Sequence, residues 1–199
     1  MLYLTGSVGV AVEPYLNNGT VGYMRAPRGG RALKPGWIWA ADNGRFGKGW
    51  PGYDKWFAWL SSQSEEEKSR CLFATAPDVV GDWEATLSES LPWLPRIRSI
   101  GYKVALVAQD GATVDNFPFD ECDYMFVGGS TEWKLGSDVV DLITEAINRN
   151  IGVHVGRVNS RKRYRLFAGL GVDSVDGTFL AFGPEKNLPK LLGWINGSP

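Results

Sequence analysis

The sequence predicts an α/β protein: a compact, reduced (β/α)8 TIM-type barrel of parallel strands, forming a single domain over residues 1–199. Three observations predict it. Short apolar runs rich in β-forming residues alternate with longer segments of helical periodicity along the chain. Seven such runs and a weaker eighth approach the count of a closed barrel, and strand–helix alternation implies parallel strands joined by helical crossovers. Polar residues follow almost every run, at the end where parallel α/β folds bind ligands. The alternative is an open doubly wound sheet. At 199 residues the chain is shorter than a usual barrel of ~250 residues, so at least one helix is expected to be missing.

The predicted strands, in order, are Leu2–Thr5, Trp37–Ala40, Cys71–Thr75, Lys103–Val107, Tyr124–Val127, Gly152–Val155 and Ser174–Val175, with Thr178–Phe182 as the weaker eighth. Most are too short for buried helices. Gly6–Pro35, rich in glycine and proline, reads as one long loop, a kind of segment that is usually functional or mobile. Tyr53–Ser62 is helical and aromatic on one side. Asp82–Ser99 is helical but split by Pro92 and Pro95. Asp138–Asn148 carries an apolar stripe at Val139, Val140, Leu142, Ile143 and Ile147, with Ser137 as its N-cap and Asp138 suited to the helix dipole. Ser160–Leu170 stops at Gly171, and Leu188–Ile195 closes the chain.

Composition narrows the function. No stretch approaches the ~18 apolar residues of a membrane span, and the start, MLYLTGSVGVAVEP, has no basic lead-in of a signal peptide. Two cysteines, Cys71 and Cys122, and one histidine, His154, cannot supply the about four ligands of a structural zinc site. Two free cysteines fit a reducing, cytoplasmic setting, although an even count permits one disulfide. A net charge of −1 argues against a strongly basic coat, yet two local basic clusters stand out. One is Arg25, Arg28, Arg31 and Lys34; the other is Arg157, Arg161, Lys162, Arg163 and Arg165.

Reading the residues just past each predicted strand collects Asp42, Asp78, Gln109, the pair Gly128 and Gly129, Gly156 with Arg157, and Asp176. No GxxxxGK[ST], HExxH or GxGxxG pattern accompanies them, and no Ser–His–Asp order does. Nucleotide hydrolysis, zinc hydrolysis and hydride transfer therefore lack their signatures. Converging carboxylates suit glycosyl chemistry, in which one stabilises or attacks the anomeric centre and another carries the leaving group's proton. Asp110 with Gly111 reads as a turn, Asp173 as a loop anchor, and His154 as a hydrogen-bonded structural residue.

Six segments, in order across residues 37–178, resemble the tRNA-guanine transglycosylase superfamily (queuine tRNA-ribosyltransferase-like), especially the short phage and bacterial DpdA-like members that insert deazapurines into DNA. Asp42-Asn43-Gly44-Arg45-Phe46 is similar to the family's Asp-Ser-Gly-Gly-Phe/Tyr, and Phe73-Ala74-Thr75-Ala76-Pro77-Asp78 lies where the family has a purine-reading Asp. Leu106-Val107-Ala108-Gln109-Asp110-Gly111 resembles its Val-Gln-Gly segment, and Val127-Gly128-Gly129-Ser130 its Gly-Gly-Leu. His154-Val155-Gly156 falls near its Leu-Met-Gly, and Gly171–Asp176 is similar to its Gly-Val-Asp-x-Phe-Asp.

The resemblance implies a single transglycosylase-like barrel that replaces guanine in nucleic acid with a 7-deazaguanine derivative; no cofactor is expected, and with two cysteines and one histidine no metal site. It implies Asp176 as nucleophile and Asp42 as proton carrier. Asp78, Gln109, Gly128 and Gly129 would read the base, and Phe46, Trp50 or Trp133 would stack on it. Arg45, Arg157, Arg161, Lys162 and Arg163 would meet the nucleic acid. The family's zinc-binding cluster and its Pro-Thr-Arg after the nucleophile are absent; Gly177-Thr178-Phe179 stands there instead. These departures favour DNA over tRNA as partner, with the deazaguanine base as co-substrate and, for a phage protein, the host cytoplasm as location. A reduced barrel also implies a homo-oligomer that covers exposed apolar surface. Two other readings use the same residues: a nucleoside deoxyribosyltransferase or N-glycosidase acting on free nucleotides, and a catalytically inactive nucleic-acid-binding relative.

Overall fold

A computed structural model describes residues 1–197. Eight parallel strands close into a barrel in sequence order: β1 (Leu2–Thr5), β2 (Val21–Arg25), β3 (Trp39–Ala41), β4 (Cys71–Thr75), β5 (Val104–Ala108), β6 (Tyr124–Val127), β7 (Gly152–Val155) and β8 (Ser174–Gly177). β8 pairs with β1, placing Asp176 beside Leu4 and removing any sheet edge. The barrel rather than the open sheet is the fold, and no helix among the described residues is long and apolar enough to cross a membrane.

The helices are α1 (Glu13–Asn17), α2 (Tyr53–Ser61), α3 (Glu65–Ser69), α4 (Trp83–Ser90), α5 (Leu94–Ser99), α6 (Thr131–Lys134), α7 (Ser137–Asn148), α8 (Arg161–Gly169) and α9 (Pro184–Ile195). Pro92 and Pro95 divide α4 from α5, and a 3-10 turn over Leu91–Trp93 joins them. Ser64 and Glu67 form a reciprocal capping box on α3. Asp82 caps α4 and Ser160 caps α8 with side-chain oxygens.

The shortening falls on two crossovers. Among the described residues no helix joins β2 to β3, and only a 3-10 turn over Phe119–Glu121 lies between β5 and β6. Aromatic side chains cover the strands there instead. Trp37, fully buried, meets Tyr23 of β2 edge-on at 5.7 Å. Trp83 stacks on Phe117 at 5.4 Å, and Phe117 packs on Phe119 at 4.9 Å. Large rings bury more area per residue than a helical turn of small side chains, so a few of them replace a helix. This accounts for part of the high tryptophan content.

Four sequence expectations are corrected. Gly6–Pro35 is not one loop, because it contains α1 and β2. Glycine in mid-strand weakens the β signal, and Gly22 is required there: a Cβ would run into the Leu4 side chain inside the barrel. Thr178–Phe182 is not a strand; β2 and β8 already complete the eight, and Ala181 N donates to Thr178 O at 2.9 Å to close a turn. Ser137 is the first residue of α7 and not its cap, which is Gly136 without a side-chain bond. α9 begins at Pro184, four residues early, since proline's fixed φ suits a first helical turn.

Strand residues alternate between two cores. Leu4, Met24, Ala40, Phe73 and Ala105 fill the barrel interior, with Tyr124 and Phe126 against them. Tyr3, Tyr23, Trp39, Leu106, Met125, Val153 and Val175 face outward to the helices. The inward row ends, at the carboxyl mouth, in polar residues.

Candidate active site

Asp42 follows β3 directly, Gln109 follows β5, Gly128 and Gly129 follow β6, and Asp176 is the third residue of β8. Asp78 lies three residues beyond β4. With Phe46 these residues line one cavity of about 100 Å³ at the barrel mouth. All seven positions that the sequence assigned to catalysis or base binding are therefore brought together. Two wider hollows, of about 430 and 190 Å³, open from the same mouth, and Asp42 and Asp176 line both. The two carboxylates thus stand where three recesses meet.

The cavity wall is wired by amides. Asp78 Oδ1 accepts from Asn43 Nδ2 at 2.7 Å, and Oδ2 accepts from Gln109 Nε2 at 2.6 Å. Gln109 Oε1 accepts from the amides of Gly129 at 2.8 Å and Gly81 at 3.0 Å. Asn43 also donates to Ala76 O and accepts from Arg45 N. Gly128 must lack a side chain, since a Cβ would stand 2.7 Å from Val107 Cγ1 and 2.9 Å from Gln109 Nε2. Each Asp78 oxygen thus accepts one side-chain amide, and the carboxyl borders the cavity. Burial pushes the Asp78 carboxyl up, against the two side-chain donors that pull it down.

Burial raises Asp42 to about 6, and the charges of Asp176 and then Asp78 add to it, against the amides of Gly44 and Asn43. A carboxyl titrating near neutrality can both give and take a proton. Asp176 Oδ1 accepts from Arg157 N at 3.1 Å, and His154 Nε2 lies 3.2 Å from the same oxygen.

The basic residues divide. Arg157 lines the cavity, carries its guanidinium 4.3 Å over the Phe46 ring, and donates to Gly129 O. Its backbone sits in the left-handed region at φ 61°. Arg45 is engaged by Glu89 and lies 4.1 Å over Trp50. Arg161, Lys162 and Arg163 occupy the first turn of α8, with Lys162 exposed. In the early cluster, Arg25 donates to Gln63 and Lys34 pairs with Glu13. Of the three aromatics offered for stacking, Phe46 lines the cavity and is 60% exposed. Trp50 and Trp133 pack against the core.

Four contributors were missed by sequence reasoning. Asn43, next to Asp42, holds Asp78. Thr75 Oγ1 is buried at the cavity without a hydrogen-bond partner among the described residues. His154 is the buried, hydrogen-bonded residue expected, but its contact with Asp176 was not foreseen. Lys134, buried, donates to Gly156 O, and burial, with the Arg157 charge, lowers its pKa to about 7. For Thr75 and His154 the signal existed: each occupies an inward strand position level with or just below a named site residue. Asp110, read as a turn residue, accepts from Ser130 N, and Asp173 accepts from Val153 N.

Compared with protein-family models and with curated proteins, the chain matches none.

Proposed function

We propose that this protein is a guanine transglycosylase of the tRNA-guanine transglycosylase type, exchanging guanine in DNA for a 7-deazaguanine base. The observation that carries the reading is the shared cavity: Asp42 and Asp176 border the same space as the acceptor–amide wall of Asp78, Gln109, Gly128 and Gly129. Guanine presents an N–H and an amino group on one edge and a carbonyl beside them. The carboxylate of Asp78 suits the donors, and the second Nε2 hydrogen of Gln109, whose first is held by Asp78, suits the carbonyl.

In the first half of the reaction, Asp176 attacks the anomeric carbon. The bond from that carbon to the base nitrogen breaks, and its electron pair leaves with guanine. Asp42 gives guanine its proton, and the sugar remains as an ester of Asp176. In the second half, Asp42 takes the proton from the incoming base, whose nitrogen displaces Asp176. A base in duplex DNA must be unstacked to enter the mouth, and the exposed Phe46 ring under Arg157 offers it a stacking face. DNA is preferred to tRNA because the zinc cluster and the Pro-Thr-Arg segment are lacking.

The test is incubation with labelled guanine and, separately, single-stranded DNA, duplex DNA, tRNA and free nucleoside, with mass spectrometry of the recovered nucleosides. Label is expected in DNA and not with Asp176→Ala. Label in the free nucleoside alone would replace the polymer by a nucleotide substrate. Equal incorporation by wild type and Asp176→Ala would remove Asp176 from the mechanism.

A further inference from the structure

Below the mouth, the barrel interior holds a polar chain that the proposed reaction does not use. His154, the single histidine of the sequence, is fully buried. The rings of Phe126 and Phe73 lie 4.5 and 5.1 Å from it. Its Nδ1 is 2.9 Å from Ser174 Oγ, and its Nε2 is 3.2 Å from Asp176 Oδ1. The register explains the contact. His154 is paired with Ser174 across β7 and β8, and residues two apart on a strand share a face. Ser174 and Asp176 therefore stand one above the other, and the imidazole spans both.

The chemistry selects one tautomer. Burial is the largest influence on the imidazole and disfavours its charged form; Asp176 pulls the other way, and Lys134 adds to the effect of burial. In the neutral ring one nitrogen donates and the other accepts. A lone pair on Nε2 would face the carboxylate lone pairs, so the proton belongs on Nε2. Nδ1 then accepts from the Ser174 hydroxyl. Asp176 Oδ1 thus receives two donors, His154 Nε2–H and Arg157 N–H. Among the described residues no donor reaches Oδ2.

We propose that His154 is a positioning residue: with Ser174 behind it, it anchors Asp176 Oδ1 so that Oδ2 is the oxygen presented to the ligand in the cavity. The catalytic consequence rests on Asp176 being the nucleophile; the contact itself does not. When Oδ2 bonds the anomeric carbon, Oδ1 becomes the ester carbonyl oxygen and keeps both donors. When the second base displaces Asp176, the electron pair of the breaking carbon–oxygen bond returns to a carboxylate already held in place.

Two measurements test this. The sole histidine makes its imidazole nitrogen and proton resonances unambiguous in NMR. At neutral pH the wild type is expected to show a neutral ring protonated on Nε2, and Asp176→Ala is expected to move the Nε2–H signal. A proton on Nδ1, or the same spectrum in both proteins, would overturn the contact. The second measurement is base-exchange kinetics of His154→Leu and His154→Gln beside their melting temperatures. Misplaced nucleophiles cost about 10²-fold, so His154→Leu is expected to lower kcat by about that factor with KM little changed. His154→Gln, which retains an N–H donor, is expected to recover part of the loss. Losses that only follow the melting temperatures, or wild-type kcat in both variants, would defeat the positioning role while leaving base exchange standing. Unchanged exchange by Asp176→Ala would instead remove the nucleophile reading, and the NMR comparison then decides the contact alone.

Discussion

Gln109 donates its side-chain amide to Asp78 Oδ2 at 2.6 Å, while its own carbonyl oxygen holds the amides of Gly129 and Gly81. The two side chains therefore act as one unit. Gln109 orients Asp78 and fixes the β6 loop, and Asp78 orients Gln109. Residues in one hydrogen-bond network show interaction energies of about 0.5–3 kcal/mol.

A double-mutant cycle should find that unit. Asp78→Ala and Gln109→Ala are each expected to weaken guanine binding at least tenfold, about 1.4 kcal/mol. The double variant is expected to lose little more than either alone. Isothermal calorimetry with guanine measures all four proteins, and circular dichroism checks that the barrel persists. Losses that simply add would show that the two side chains read the base independently.

The second prediction concerns Asp42. Burial, then the charges of Asp176 and Asp78, raise it from 3.8 to about 6. The folded protein thus holds a proton that the unfolded chain has released between those values. This contribution to stability is present below about pH 4 and is lost as pH rises through 6. Asp42→Asn, neutral at every pH, should therefore gain on wild type as pH rises. A shift of about two units corresponds to about 3 kcal/mol as an upper bound, so the expected gain at pH 7.5 is about 1–3 kcal/mol. Denaturant melts at pH 4 and pH 7.5 check it. The same substitution removes the proton carrier, at a cost of about 10²–10⁴-fold in exchange rate, and departure of guanine from wild type should slow above about pH 6. A pH-independent stability difference between the two proteins would contradict the origin assigned to the shift.

The fold and the site were legible to different depths. Strands such as Cys71–Thr75 and Tyr124–Val127 announce themselves by dense β-formers and were read to the residue. β2 was hidden by Gly22, whose reason is a packing partner on β1 that no local pattern reveals. The mouth residues were legible because their position, just past or at the end of a strand, is itself the functional signal in a parallel barrel. From the sequence His154 reads as structural, because it lies inside a strand. Its tie to Asp176 crosses 22 positions and depends on the β7–β8 register. Arg45 is similar: it stands in the turn after β3, and its partner Glu89 is 44 positions away, on α4. Local pattern marks which end of the barrel carries chemistry; register and packing decide which side chains meet there.

Arg157 supplies the third prediction. A side chain beyond glycine in the left-handed region costs roughly 1–2 kcal/mol, and Arg157 holds that conformation at φ 61°. The turn aims its amide at Asp176 and returns its guanidinium over Phe46 to Gly129 O. Two substitutions separate the backbone from the side chain. Arg157→Ala loses the guanidinium and keeps the backbone cost; Arg157→Gly loses both. For a chain of this size 1 kcal/mol moves the melting temperature by about 2–4 °C. Arg157→Gly is therefore expected to melt about 2–8 °C above Arg157→Ala. Both should bind guanine equally weakly, because both lack the guanidinium that packs on the Phe46 ring and holds it at the cavity. Calorimetric melts and guanine titrations of the pair decide it. Equal melting temperatures would mean that the turn relaxes in solution, and wild-type binding by either variant would remove the guanidinium from the base pocket.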